Sequence, residues 1–330
     1  MFEIKSVSEK DIVIALAGNP NTGKSTVFNS LTGLKQHTGN WPGKTVSIAQ
    51  GGYIHNDQRY ILVDLPGTYS LLSNSQEEEI ARDFICFANP DATIIVTDAT
   101  CLERNLNLAL QIMEITNKVL ICVNLMDEAE RKNIHIDLDR LSQLLGVPLV
   151  ATSARSGQGL EELKDMVEKL AKEEISPRPR QVAYDDILEE AIRRIQPHIE
   201  KQVSNLNSRW VSIRLLDDDS SLMDSISKHL GYELNNDEDL NENLKSLQVE
   251  LKVKCPGPSD LSDSIVSSII KTAEDIGQEV LDLGESPHDN LDRKLDSILT
   301  SKIFGIPLML ALLGLIFWIT IEGANYPSGL

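Results

Sequence analysis

Short apolar runs alternate with longer amphipathic stretches over the first half of this chain. Ile12-Val-Ile-Ala-Leu-Ala17, Tyr60-Ile-Leu-Val63, Thr93–Ala99, Val119-Leu-Ile-Cys-Val123 and Pro148-Leu-Val-Ala151 are brief and mostly rich in β-branched residues. They predict strands buried on both faces of a parallel sheet. Between them Lys24–Leu31, Asn105–Ile115 and Leu160–Leu170 place apolar residues three and four apart, the period of a helix lying on a sheet. Thr45–Tyr53 and Tyr60–Asp64 flank Asn56-Asp57, a turn pair that predicts a hairpin and one antiparallel edge strand. The alternation predicts an α/β domain with a mainly parallel sheet over residues 1–175, its ligand site at the carboxyl ends of the strands.

The pattern changes at Ser176-Pro-Arg-Pro179, a linker signal. Residues 176–290 then read as an acidic helical domain, with Asp185–Ile199, Ser220–Leu230 and Ser259–Leu283 as candidate helices. Asp217-Asp-Asp219 and the acidic stretch around Asn235–Asn243 read as solvated helix ends or loops, because carboxylates favour helix N-termini. Ile303–Ile321 holds no charged residue. At about 1.5 Å per residue it nearly spans a ~30 Å hydrocarbon core, so it predicts a transmembrane helix. Arg293, Lys294 and Lys302 sit in a basic juxtamembrane linker (291–302), and no Lys or Arg follows the run. This asymmetry puts the first domain in the cytoplasm and residues 322–330 outside.

Chemistry enters at the ends of the predicted strands. Gly18-Asn19-Pro20-Asn21-Thr22-Gly23-Lys24-Ser25, followed by Thr26, matches the phosphate-binding loop between a strand and a helix. Its glycines let successive N–H groups turn toward phosphate oxygens. Lys24 reaches the β- and γ-phosphates, and the Ser25 hydroxyl can ligate Mg²⁺. Asn124-Leu125-Met126-Asp127 follows a strand with the spacing of a guanine reader. A carboxylate at Asp127 accepts both N1–H and the exocyclic amine, a donor pair that adenine lacks. Asn124 is expected to tie this loop to the phosphate loop. In Ser153-Ala154-Arg155, the Ala154 N–H is expected to meet guanine O6. Together these predict a Ras-like phosphate-loop GTPase domain that binds GTP and GDP.

Asp64-Leu65-Pro66-Gly67 supplies a carboxylate for Mg²⁺ through water and an N–H that senses the γ-phosphate. Gly43-Lys44-Thr45-Val46 supplies a loop over the nucleotide, with the Thr45 hydroxyl as second protein ligand to Mg²⁺. Loss of the γ-phosphate would release both segments. Lys24, Thr45, Gly67 and Asn21 are therefore the expected catalytic residues. Thr68 and Tyr69 stand where many GTPases carry the glutamine that orients water, which predicts slow turnover or help from a cation. Asn21 resembles the asparagine that ligates K⁺ in potassium-activated GTPases.

Composition narrows the class. A net charge of −19 argues against nucleic acid as partner and against docking on anionic lipid. The four cysteines form no C-x-x-C pair, and the six scattered histidines nominate no transition-metal site.

The order of GTPase, acidic helical domain and apolar span resembles the ferrous iron transport protein B family. The resemblance rests on the phosphate loop, on Asn40-Trp-Pro-Gly-Lys-Thr45, on Asp64-Leu-Pro-Gly-Thr-Tyr-Ser70, and on Asn124-Leu-Met-Asp127, with support from Ser153-Ala-Arg155 and Gly305-Ile-Pro307. It implies a prokaryotic inner-membrane Fe²⁺ importer in which GTP hydrolysis gates or regulates transport. It also implies a helical domain that modulates GDP release, and partners among further membrane helices and small accessory iron-transport proteins. The reading from another class is a regulatory GTPase of the ribosome-assembly kind, tethered by a C-terminal anchor.

Overall fold

Every residue of the central strand β1 (Ile12–Gly18) beyond its first two is buried, and it has parallel neighbours on both sides, β4 (Gln58–Asp64) and β5 (Ala92–Asp98). The computed structural model describes residues 11–33, 36–40, 47–72, 75–203, 206–230, 238–254, 261–283, 299, 301 and 305–325. β6 (Val119–Asn124) and β8 (Leu149–Ala151) extend the parallel sheet beyond β5. On the other side β3 (Ser47–His55) runs antiparallel to β4, and β2 (Gln36–Asn40) antiparallel to β3. The order is β2-β3-β4-β1-β5-β6-β8. The expected single antiparallel strand is thus two, and β3 lies inside the edge. The Gln-His-Thr-Gly-Asn sequence of β2 carries no apolar alternation to announce a strand. The hairpin turn is as expected: Asn56 and Asp57 have φ of 46° and 60°, the mirror-image geometry that fits twisted strands.

Alternation along the strands sends neighbouring residues to opposite faces. Leu16, Leu62, Ile94 and Leu120 meet Val27 and Phe28 of α1 (Lys24–Thr32) and Leu163 and Val167 of α6 (Leu160–Ala171). Ala15, Val63, Ile95 and Ile121 share the other core with α2 (Gln76–Phe87), α3 (Leu102–Ile115) and α5 (Leu138–Leu145). A short α4 (Met126–Arg131) and the strand β7 (Ile134–Ile136) join β6 to α5.

That second core continues into the helical region: α7 (Asp186–Gln202), α8 (Ser208–Leu216), α9 (Ser220–Leu230), α10 (Glu238–Lys254) and α11 (Leu261–Val280). Two of these, α8 and α10, were not expected. The acidic stretch around Asn235–Asn243, read as a solvated helix end or loop, enters a helix at Glu238, on which Leu240, Leu247 and Leu251 are buried. α11 packs on α3 and α5, then gives way at Leu281 to β9 (Leu281–Leu283), which pairs with β7.

Residues 1–282 form one compact unit and residues 283–330 a second. In the second, α12 runs Gly305–Asn325, with side chains described as far as Thr320. Among the described residues no helix is long and apolar enough to cross a membrane. The linker 291–302, apart from Leu299 and Ser301, and residues 326–330 lie outside the described residues.

Candidate functional site

The loop after β1 curls because its glycines permit contacts that no other residue would. A β-carbon on Gly18 would stand 2.5 Å from the Val96 carbonyl oxygen, and one on Gly23 (φ 78°) would collide with the Asn124 amide. The loop is closed internally by the Thr22 hydroxyl, which donates to the Asn19 carbonyl at 3.0 Å. Asn19 and Thr22 are buried, Pro20 is half-buried, and Asn21 is exposed with φ of 68°. Helix α1 then starts with no side-chain cap and no acidic residue in its first turn. Its leading N–H groups have no carboxylate or hydroxyl cap, while Ser25 and Thr26 are exposed beside them. An anion is the natural partner of such an end.

Lys24 is only 9% exposed. Its ammonium donates to the Asp64 carboxylate and, at 2.7 Å, to the Leu65 carbonyl. Burial pushes the Asp64 carboxyl above its usual range, and Lys24 offsets only part of that shift. Leu65 is buried and Pro66 half-buried, while Gly67 lies against Pro20 of the phosphate loop. Thr68 is buried, and Tyr69 carries the Arg104 guanidinium 4.7 Å above its ring. The segment is then anchored to α3, where Gln111 Oε1 accepts from the Leu71 N–H (2.8 Å) and the Ser70 hydroxyl (3.2 Å).

Asn124 joins the remaining loops. Its Nδ2 donates to the Thr22 carbonyl at 2.9 Å, and its Oδ1 accepts from the Thr152 hydroxyl and the Ala154 N–H, both at 3.0 Å. One buried amide therefore ties the phosphate loop to both loops expected to read the base. The Ala154 N–H expected to face guanine O6 is here engaged by Asn124 instead. Leu125 takes φ of 63°, a left-handed conformation that costs a branched residue roughly 1–2 kcal/mol. That bend opens α4 and brings Asp127 beside Ser153, whose hydroxyl accepts the Asp127 N–H at 3.2 Å. The Asp127 carboxylate is half exposed and pairs with Arg131 at 3.3 Å. Met126 is half-buried and Arg155 exposed. Gly43, Lys44, Thr45 and Val46 lie outside the described residues.

Two contributors escaped the motif reading. Gln111 is a polar residue on the buried face of α3, which is its only sequence signal. Arg131 sits one helical turn after Asp127, a spacing shared by any surface ion pair. The fold also brings one histidine, His55, together with two carboxylates, Asp165 and Glu168, that lie far from it in sequence.

The arrangement combines an uncapped helix end and a buried lysine at one point with an outward-facing carboxylate at another. Chains with the same construction agree. Residues 12–167 match the family model for ferrous iron transport protein B, and residues 184–305 match that for the FeoB cytosolic helical domain. A mutant of S. thermophilus NFeoB bound to GDP has 31% sequence identity and a TM-score of 0.69, over 82% of this chain and 100% of that one. The chain belongs to the ferrous iron transport protein B family. The Fe(2+) transport protein A/Fe(2+) transporter FeoB fusion protein of Porphyromonas gingivalis is 33% identical over 96% of this chain and 37% of its own length. The Fe(2+) transporter FeoB of Salmonella typhimurium is 30% identical over 96% of this chain and 40% of its own. The chain therefore spans less than half the length of these relatives. Membership in the family disfavours the ribosome-assembly reading.

Proposed function

We propose that this chain is the GTP-binding and GTP-hydrolysing cytoplasmic part of a membrane transporter for ferrous iron, and that nucleotide state regulates or gates uptake. The observation that carries the GTPase reading is the Asn124 amide, which holds the phosphate loop and both base-reading loops together. The GDP bound to the S. thermophilus relative supports the choice of nucleotide. The Fe²⁺ assignment and the place in a membrane transporter both rest on the relatives named as Fe(2+) transporters.

In this reading the triphosphate lies across residues 18–26, and the N–H groups at the start of α1 supply the cap that no side chain provides. The Lys24 ammonium exchanges partners. It holds Asp64 here, and it turns to the β- and γ-phosphates when GTP binds, which frees the Asp64 carboxylate. The residues fit Mg²⁺: an exposed hydroxyl at Ser25 stands close in sequence to the lysine that masks Asp64. Ser25 and Thr45 would hold the ion directly and Asp64 through water, and the ion would neutralise phosphate charge. Thr68, which is buried, and Tyr69, half exposed under the Arg104 guanidinium, offer only neutral hydroxyls, which are weak bases. Orientation of the attacking water would then fall to the backbone at Gly67, and Asn21 would be the residue to hold K⁺, which would supply positive charge beside the phosphates. Turnover is expected to be slow, and faster in K⁺ than in Na⁺; equal rates would remove Asn21 from that role.

The decisive test is Fe²⁺ uptake by bacteria lacking other importers, with the gene in its natural reading frame. Uptake that disappears in Lys24→Ala, with protein still in the membrane, supports a GTP-dependent iron transporter. Uptake undiminished in Lys24→Ala would overturn the coupling, and no uptake with intact GTP binding would overturn the cargo.

A further inference from the structure

A second cluster lies at the opposite end of the sheet from the phosphate loop. His55 closes β3 just before the Asn56-Asp57 turn, and Asp165 and Glu168 stand one turn apart on the same face of α6. The His55 Nε2 is 2.8 Å from Asp165 Oδ1 and 3.8 Å from Glu168 Oε2, and the three ligand atoms all lie within 4.8 Å of one another. We propose that His55, Asp165 and Glu168 form a binding site for a divalent first-row transition-metal cation. This assignment goes beyond the GTPase reading and does not depend on it.

The cluster is more than a single ion pair: the imidazole faces Asp165 at hydrogen-bond distance and a second carboxylate, Glu168, at 3.8 Å, beyond that distance, with the Glu168 oxygens also held by Asn56 and Lys172. A metal bound about 2.0–2.2 Å from each ligand spaces them roughly 3–4 Å apart, close to the separations present. One imidazole with two carboxylates suits Zn²⁺, Fe²⁺ or Mn²⁺. The His55 and Glu168 side chains are only 12% and 11% exposed, whereas Asp165 is 57% exposed. Two ligands are thus set into the protein and the third faces water, leaving open coordination positions on the outer side.

The surroundings provide an independent sign. The rings of Tyr53 and Tyr60 stack at 4.9 Å, and both hydroxyls are buried without a hydrogen-bond partner. Burial is the main cause that raises both phenols; the Glu168 charge adds to it at Tyr60, and at Tyr53 it comes after the neighbouring Tyr60. Two orphaned buried hydroxyls within reach of the Glu168 charge mark a region whose polar groups the described side chains do not satisfy. Lys172 donates to Glu168 Oε1 and Asn56 to Oε2 (2.6 Å). They orient the ligand, as outer partners of metal carboxylates do. Lys164 pairs with Glu161 and stands 6.0 Å over the Tyr53 ring. The β3–β4 hairpin that presents His55 carries Asp64 at its far end, so the cation would sit on the strand pair leading into the nucleotide site.

The test is calorimetric titration of the nucleotide-free, chelator-treated 330-residue chain with Zn²⁺, and with Co²⁺ followed by its visible absorption. The expected result is one saturable site that persists in Lys24→Ala. Its affinity should fall at least about tenfold in His55→Gln and in Asp165→Asn. Melting curves without metal check folding. Asp165 is largely exposed, so its variant keeps the test valid even where His55→Gln fails to fold. No saturable binding, or binding unchanged in Asp165→Asn, would leave an ion pair only and overturn the site.

Discussion

Helices that follow the nucleotide motifs begin differently from helices elsewhere in the molecule. At α1, α4 and α6 the residue before the helix is left-handed (Gly23, Leu125 and Gly159) and makes no side-chain cap of its own. At α2, α5, α7 and α8 the corresponding residue is extended, and its side chain (Ser75, Asp137, Asp185 or Asn207) accepts a backbone N–H. Ordinary capping stabilises a helix by about 1 kcal/mol, and the first group goes without it. Leu125 adds strain on top. The three sharp turns belong to the loops that carry the nucleotide motifs; at α1 the leading N–H groups are left without a side-chain cap, whereas at α4 the Met126 and Asp127 N–H groups go to the Thr152 carbonyl and the Ser153 hydroxyl. The contrast separates parts built to hold the fold from parts built to hold a ligand.

The largest effect should come from breaking the hub between the loops. Asn124→Ala removes three hydrogen bonds of about 1 kcal/mol each and leaves the Ala154 N–H unpaired. GTP affinity should fall about a hundredfold or more, together with a lower melting temperature. Full affinity for GTP in a folded variant would show that the loops are held by other means. Next in size is the reader itself. Asp127→Asn replaces an acceptor pair with one acceptor and one donor, so preference should move from GTP to xanthosine triphosphate by one to two orders of magnitude. Competition with a fluorescent guanine nucleotide measures both, and an unchanged preference would remove Asp127 from base recognition. Asp185→Ala samples the other class of helix start. It should cost about 1 kcal/mol of stability in a denaturant titration while leaving GTP affinity unchanged. A large loss of affinity there would erase the distinction drawn above.

How much of this was legible in the sequence depends on what each signal needs. The parallel strands were readable because both faces are buried, and the motif loops because a ligand restricts both residue type and spacing. β2 was not readable, since its polar sequence takes strand form by pairing with β3 alone. α8 was missed for the opposite reason. Trp210 through Leu216 are all buried, Ser212 and Arg214 among them, so no polar face marks a helical period. Gln111 and the His55 cluster required tertiary contact: each looks ordinary until α3 meets residues 70–71, or α6 meets the hairpin turn.

The smallest predicted effect concerns Arg131. Its guanidinium and the Asp127 carboxylate are 69% and 48% exposed, so their attraction is well solvated, and such pairs contribute a few tenths of a kcal/mol. Guanine and Arg131 nevertheless compete for the same carboxylate oxygens, because the ion pair uses Oδ2, which the base would need. Arg131→Gln should therefore tighten GTP binding by up to about twofold at low ionic strength. The gain should vanish at about 1 M salt, where charges a few ångströms apart are screened in both proteins. A weaker affinity in the variant would reverse the assignment, since Arg131 would then be steering or holding the nucleotide. The sign of this small change decides whether the half-exposed end of α4 belongs with the ligand-holding parts or with the surface.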